Sequence, residues 1–442
     1  MRTITDTHQK ITLHLLLYLS FFGMFSSQAM AQTHEESQNP YIETSNVVAA
    51  DVIDNIESLR GNTYELATKN GDFYVSATND GGLYQGYSLI RFNKAGNIVF
   101  QKKYEVSGDY RYFHIRNIIS FENGDILVTA LAAKLKPVSE NGIENPSEAG
   151  KEGMYLARIN PLGELVWSRY RAMNVGGVYS TTLSDDNIKI LVAPFVFLEF
   201  DGKGFFQSYV DYSSKAYDYP KKGIALDNGN TLIAGFKSYQ DSNKRRVYYT
   251  HGANDPYIAE IDPSGNVVWH KRYFDKNTAN RSLNILKKKE TGYYLLYQTS
   301  FSREYYKKKR LEPEYTRLSS EDIANQIVSS IDERGEVEWQ IKLPKGVSIY
   351  DTVIFPDDKI LALANHNTPE HRNSSSKPLL YLFSADGEIL EKKKLDKSAE
   401  STIEFYKHIN MLEDGSLQII ANPRARSDRF KKYSFIDLKV RQ

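Results

Sequence analysis

The chain has 442 residues, with 56 Lys and Arg against 55 Asp and Glu, a net charge of +1. That balance excludes a globally basic nucleic-acid binder, and the absence of Cys excludes a disulfide scaffold, thiol catalysis, Cys-ligated zinc and a lipid anchor on Cys. Hydrophobic residues at 41% and charged residues at 25% fit a globular protein, and 31 Tyr beside only 3 Trp suit strands with wet aromatic faces.

Residues 1–31 read as a signal peptide. Arg2 and Lys10 flank the start of a mostly apolar run, Ile11 to Phe25, and Ala29-Met30-Ala31 is a small-x-small cleavage site. The run is too short to span a bilayer, and no later stretch reaches about 18 apolar residues, so no membrane span is expected. A cut after Ala31 is expected to leave 54 basic and 54 acidic residues in a single domain, residues 32–442. Export without Cys places the chain, by expectation, in the periplasm or outside a bacterium.

From there the chain repeats. The apolar segment Asn46 to Ile53 comes first and has no hairpin partner beside it. Two elements then alternate. One is a turn leading into an apolar strand: Asn70-Gly71, Asn123-Gly124, Asp186-Asn187, Asn228-Gly229, Thr291-Gly292, Asp357-Asp358 and Asp414-Gly415. The Asn-Gly and Asp-Gly pairs are expected to be tight hairpins with both central residues at positive φ. The other element has the form apolar-Asp/Asn-x-x-Gly-x-apolar-x-aromatic. It runs Asn93 to Phe100, Asn160 to Trp167, Asp262 to Trp269 and Asp332 to Trp339, with weaker copies at Asp201 to Phe206 and Ser384 to Ile389. A truncated copy, Phe435-Ile436-Asp437-Leu438, closes the chain. The acids Asp201, Asp262, Asp332 and Asp437 read as turn formers, with the glycine in the left-handed region. Trp167, Trp269 and Trp339 share one repeat position.

Each unit is therefore strand–turn–strand–connection–strand–turn–strand, and there are seven units. The fold expected is all-β: a seven-bladed β-propeller of four-stranded antiparallel blades. The length allows roughly 59 residues per blade against the ~40–45 of a compact one, so long loops must be present. The last unit ends before a fourth strand, and residues 46–53 are expected to supply it, closing the ring and removing an exposed edge.

The Asp-x-x-Gly-x-x-x-Trp form resembles the strand motif of bacterial propellers of the pyrroloquinoline-quinone-like (quinoprotein-like) repeat superfamily. The resemblance implies a Trp docked between neighbouring blades and a Gly making the outer hairpin. Quinone enzymes of that family carry a vicinal cysteine pair, which this chain lacks, so neither a quinone nor any other cofactor is expected. Sialidase boxes have one residue between Asp and Gly where the strong copies here have two.

In such a blade the first and third turns share one face, and the middle and blade-to-blade connections share the other. The long insertions, residues 134–152, 239–255, 302–324, 365–377 and 423–433, all belong to the second face, where loops on a rigid scaffold carry function. The last four sum to +7 in a chain of net +1. Their runs of Arg, Lys and Tyr nominate a binding set: Tyr248, Tyr249, Arg303, Tyr305, Tyr306, Lys307, Lys308, Lys309, Arg310, Arg424 and Arg426. Aromatics among cations suit a protein partner or an anionic or glycan polymer. The function expected is a monomeric, non-catalytic binding or scaffold propeller whose partner docks near blades four to seven. The competing reading is a polysaccharide lyase or hydrolase at the channel mouth, with His114, His408, Arg111 and Arg303 as candidates. No metal site is expected: His366 and His371 are separated by a Pro and do not form a helical His-Glu-x-x-His pair.

Overall fold

The computed structural model describes residues 42–50, 63–78, 86–106, 110–134, 152–173, 178–184, 187–192, 196–211, 219–238, 254–273, 279–289, 291–300, 326–366, 377–395, 405–422 and 433–440. Tyr41–Gln442 is one compact unit. The described residues contain strands and turns and no helix.

In chain order, β1 (Ile42–Ala50) precedes the first complete blade, β2 (Thr63–Ala67), β3 (Phe73–Thr78), β4 (Gly86–Phe92) and β5 (Ile98–Glu105). Blade 2 holds β6 (Tyr110–Ser120), β7 (Ile126–Lys134), β8 (Glu152–Ile159) and β9 (Leu165–Ala172). Blade 3 holds β10 (Val178–Ser184), β11 (Asn187–Val192), β12 (Val196–Asp201) and β13 (Phe206–Asp211). Blade 4 holds β14 (Tyr219–Ala225), β15 (Thr231–Ser238), β16 (Asn254–Ile261) and β17 (Val267–Arg272). Blade 5 holds β18 (Ala279–Lys287), β19 (Tyr293–Ser300), β20 (Gln326–Ile331) and β21 (Val337–Lys342). Blade 6 holds β22 (Val347–Ile354), β23 (Ile360–His366), β24 (Lys377–Phe383) and β25 (Ile389–Lys394). Blade 7 holds β26 (Phe405–Met411), β27 (Leu417–Asn422) and β28 (Tyr433–Val440). Its sheet order is β26-β27-β28-β1, so the N-terminal strand is its outermost member. The protein is a seven-bladed β-propeller.

The closing strand sits slightly upstream of its expected position. It covers 42–50 rather than 46–53, and residues 51–53 lie outside the described residues. It pairs antiparallel with β28 from Ile42↔Val440 to Ala50↔Tyr433. Asp437 consequently lies within a strand, opposite Ser45 and Gln418, and is not a turn former. The other three acids are: the Oδ1 atoms of Asp201, Asp262 and Asp332 accept the backbone N–H four residues on, at 2.8, 2.7 and 2.7 Å.

The first turns also differ from expectation. Thr68 N–H donates to Asp72 O and Gly71 N–H to Thr68 O, so the loop is five residues long. Only its glycine is left-handed, at φ 88°, and Asn70 is not; Asn70 instead accepts the Asp72 N–H. In blade 6 Asp358 takes the glycine's place at φ 58°, which Asp tolerates better than most residues.

Apolar cores join the blades pairwise. Phe113, Ile115 and Val128 of blade 2 pack with Tyr74, Tyr87 and Leu89 of blade 1. Equivalent cores join blades 2 and 3, 3 and 4, 4 and 5, 5 and 6, and 6 and 7. The seventh joins Ile420 and Phe435 to Phe73, Val75, Ile90 and Phe92, sealing blade 7 onto blade 1. Each sheet is therefore buried on both faces, which is why its middle strands are almost continuously apolar.

A second contact repeats between blades. The aromatic of one outer strand lies under the turn glycine of the next blade. A Cβ on Gly204 would lie 2.5 Å from Trp167, on Gly335 3.0 Å from Trp269, on Gly387 2.7 Å from Trp339, and on Gly163 3.0 Å from Phe100. The three tryptophans thus occupy equivalent interblade places, as their shared repeat position predicts. Trp339 Nε1 also donates to Ala385 O in the next blade at 2.7 Å.

Two stability outcomes follow. Trp339→Ala should lower stability by about 3 kcal/mol, the lower end for a large aromatic because the ring is half-buried. Gly387→Ala should also destabilise the protein, since it adds a Cβ where φ is 90° and the Trp339 ring occupies the space. Denaturant titration checks both, and a loss under about 1 kcal/mol for Trp339→Ala would contradict the docking role.

Candidate functional site

The first strands of the blades, β2, β6, β10, β14, β18, β22 and β26, lie at the inner edge of each sheet and pack on one another around the axis. One edge of each pairs with its second strand and both faces meet neighbouring blades. A side chain exposed in mid-strand there faces the channel.

Six of these strands carry a β-bulge. The register slips at Ile115/Asn117, Val178/Ser180, Pro220/Lys222, Arg281/Leu283, Ile349/Asp351 and Tyr406/His408. A bulge leaves one residue without a partner on the second strand and re-aims side chains beside it. The extra residues are Arg116, Tyr179, Lys221, Ser282, Tyr350 and Lys407. Tyr350 is 51% exposed and Lys221 is exposed as well, so both face the channel.

Next to the bulges is a level of polar residues. Asn117, Lys222, Asn284, Asp351 and His408 each stand four residues before the residue that opens the first turn of their blade. His408 is the centre of a clamp across three blades. Its Nε2 lies 3.1 Å from Glu65 Oε2 on β2 and its Nδ1 3.5 Å from Asp351 Oδ2 on β22. Asp351 is held in turn by the backbone N–H of Ile409 at 3.1 Å and of Thr352 at 2.9 Å. Burial alone would pull the imidazole down, but hydrogen bonds and charge from Asp351 and Glu65 outweigh it and hold the pKa up at about 9. At neutral pH His408 is an imidazolium with both nitrogens committed. It has no lone pair with which to accept a proton.

On the opposite arc Lys222 Nζ donates to Asn284 Oδ1 of the next blade at 2.8 Å. Burial lowers the Lys222 pKa, against a smaller opposing pull from Asp351. His114 is exposed on β6, at the inner edge of its sheet as expected. Arg111 also lies on β6. The described residues hold no group of three or more His, Cys, Asp or Glu able to bind a metal.

The sequence-nominated binding set lies elsewhere. Tyr248, Tyr249, Arg303, Tyr305, Tyr306, Lys307, Lys308, Lys309, Arg310, Arg424 and Arg426 all lie outside the described residues. Conversely, Glu65, Asp351, Lys222 and Asn284 were absent from the nominated set. Aligning the repeats on the first turn finds the latter three, because each is a polar residue at one register in a mostly apolar strand.

No family model matches the chain, and no curated protein matches it. Solved structures similar in fold include the following three. A protein of unknown function from Dyadobacter fermentans DSM 18053 is 8% identical, with a TM-score of 0.45 over 91% of this chain and 100% of its own. BamB from Moraxella catarrhalis is 11% identical, with a TM-score of 0.37 over 91% of this chain and 99% of its own. A protein of unknown function from Bacteroides caccae is 14% identical, with a TM-score of 0.35 over 62% of this chain and 81% of its own.

The clamp has a pH signature. The His408 pKa is raised from 6.5 to about 9 in the folded state. Its contribution is therefore complete below about pH 6.5 and is lost as pH rises through 9. His408→Gln should lower stability by about 2–3 kcal/mol at pH 6, because it leaves Glu65, 5% exposed, without its cationic partner. The difference between variant and wild type should shrink by pH 10. Chemical denaturation across that range checks it, and a pH-independent difference would mean His408 is not charged in the fold.

Proposed function

We propose that the protein is an exported, non-catalytic binding or scaffold propeller, with a signal peptide cut after Ala31 and a partner docked on the face that carries the middle connections of its blades. The observation that carries this reading is the asymmetry of the two faces. The described first and third turns are tight and internally hydrogen-bonded, and they share one end of the ring. The strand ends that the second-to-third-strand connections join are at the other end of each sheet, and loops carried on a rigid scaffold are where binding residues usually stand. Their sequences supply the Arg, Lys and Tyr that suit an anionic polymer, while the chain as a whole is nearly neutral. Membership of the quinoprotein-like repeat superfamily, without its quinone site, is consistent with the Trp docking between blades and with the absence of Cys.

The enzymatic alternative is weaker on one specific ground. Of its candidate residues, His408 is a proton-saturated clamp between two carboxylates and is unsuited to act as a base.

Replacing Lys307, Lys308, Lys309 and Arg310 with Ser should weaken binding to polygalacturonate by about tenfold at low salt and flatten its salt dependence. The melting temperature should stay unchanged if these charges are solvated, since solvated charges add little to stability. Titrations of both proteins across a salt series test this. Equal affinity at every salt concentration would retire the basic loops as the docking surface.

A further inference from the structure

One repeat position closes the wedge between the outer edges of neighbouring blades. It lies four residues after the outer-strand residue opposite Arg91, Arg158, Glu260, Ser330 or Leu382. Blade 1 has Tyr104 there and blade 4 has Tyr273, and their hydroxyls donate to Gly163 O and Gly335 O in the next blade, both at 2.8 Å. Blades 5 and 6 have Leu343 and Leu395, and all four of these side chains are buried. Blade 2 has Arg171 instead, and it is exposed.

The residue two places earlier departs in the same way. Lys102 donates to Leu162 O at 2.9 Å and Lys271 pairs with Glu336, so each ties its blade to the next. The corresponding Arg169 reaches no oxygen of blade 3 among the described residues. Its Nη1 donates to Ser168 O on its own strand, and its buried Nε has no hydrogen-bond partner among the described residues. Both guanidiniums instead lie over aromatic rings of blade 3, Arg169 at 4.4 Å from the centre of Phe205 and Arg171 at 4.7 Å from that of Phe206. Stacking fixes their planes and leaves their edges free to donate. The acids on β12 and β13 do not neutralise them. Glu199 is held by Lys189 and Ser208, Asp201 by its own turn, and Asp211 is engaged as well.

The wedge therefore stays open between blades 2 and 3. Beneath the two arginines is a shallow pocket lined by Met154, Leu156, Phe200 and Phe206. The far wall continues along β13 with Tyr209. Tyr209 stands opposite Leu198, which packs in the core between blades 2 and 3, so both point toward blade 2. Tyr209 is 64% exposed and Phe205 43%. The pocket holds about 230 Å³ with its open mouth included, below the roughly 300–1,000 Å³ of small-molecule sites. Unpaired guanidiniums beside exposed aromatic rings suit a macromolecular partner that brings a carboxylate and an apolar side chain together, since Arg and Tyr dominate such contacts.

We propose that the groove between the outer strands of blades 2 and 3 docks an extended acidic segment of a partner protein, with its carboxylates on Arg169 and Arg171 and its apolar side chains against Phe205 and Tyr209. β9 and β13 are the outermost strands of their sheets, so this surface is on the circumference of the ring and is separate from the loop residues nominated above.

Fluorescence anisotropy of the purified protein with a labelled acetyl-Leu-Glu-Phe-Glu-Leu amide tests this. Saturable binding is expected, at least tenfold tighter than that of the same peptide with Gln in place of Glu. Arg169→Gln and Arg171→Gln should each weaken it by about tenfold without changing the melting temperature. Arg171→Tyr restores the residue of blades 1 and 4, whose hydroxyl can donate to Gly204 O. It should abolish binding and raise the melting temperature, an outcome that misfolding cannot imitate. The Ser substitutions at Lys307 to Arg310 should leave binding unchanged, which keeps the result independent of the loop-face reading. Equal binding of the Glu and Gln peptides, or by wild type and Arg171→Tyr, would overturn the proposal. So would an Arg171-dependent retention on phosphatidylglycerol vesicles without peptide binding, which would make the occupant a membrane surface. An Arg171-dependent dimer in sedimentation that excludes the peptide would likewise overturn it, by making the occupant a second copy.

Discussion

The whole molecule depends on the seam between blade 7 and blade 1. Every sheet has two apolar faces, and each face is covered only by a neighbouring blade, so a ring left open would expose two complete faces to water. The seam is accordingly held by several unlike interactions. Phe73, Phe92 and Phe435 meet with ring centroids about 6 Å apart. Lys94 Nζ reaches Asp414 at 2.9 Å, Gln418 Nε2 donates to Lys94 O, and Asn410 Nδ2 donates to Thr68 O. The Glu413 N–H donates to Lys69 O. Near the axis the His408–Glu65 pair completes the set. The outermost strand of blade 7 is itself the N-terminal strand, so the two ends of the chain are tied by backbone hydrogen bonds within one sheet. Closure thus makes the most distant contacts in sequence essential to all the others.

Between the remaining blades one device is reused with local variation. In blades 1 and 2 an Arg on the third strand pairs with the Asp of the first turn: Arg91 with Asp72 and Arg158 with Asp125, both at 2.6 Å. Each guanidinium also reaches a carbonyl in the next blade, Pro161 O from Arg91 and Gly202 O from Arg158. Blade 4 inverts the polarity. There Glu260 stands at the strand position and accepts from Asn228, Asn230 and Trp269 Nε1. The geometry of the turn is kept while the charges change, because what the fold requires is a satisfied polar link under the turn and not a particular ion.

This explains what was legible in the sequence. The Asp-x-x-Gly turns, the shared Trp position and the missing fourth strand are set by local backbone needs and by one repeated contact, so they recur at fixed spacing and can be read directly. The Asn-Gly pairs of the first turns favour two-residue hairpins. The structure makes a longer loop, since Thr68 and Asp72 close it with their own hydrogen bonds. Asp437 departs from the turn pattern because a turn motif lacking its glycine is indistinguishable from a strand that contains Asp. The clamp was illegible in its pairing. Glu65 and His408 are 343 residues apart, and only ring closure brings them within 3.1 Å.

Loop charges and inner-strand charges have different physical standing. Any attraction exerted by the charges of the sequence-nominated loop segments would be screened within roughly 8 Å at physiological salt and would act chiefly on encounter. Charges on the inner strands stand between packed blades, where screening by salt is weaker than in open solvent. On the described inner strands the two acids, Glu65 and Asp351, meet at His408, and the His408–Glu65 pair stabilises the closing seam. His408 therefore joins three blades at once, with Glu65 across the seam and Asp351 in blade 6, so the same imidazolium that closes the ring also ties blade 7 back to its other neighbour.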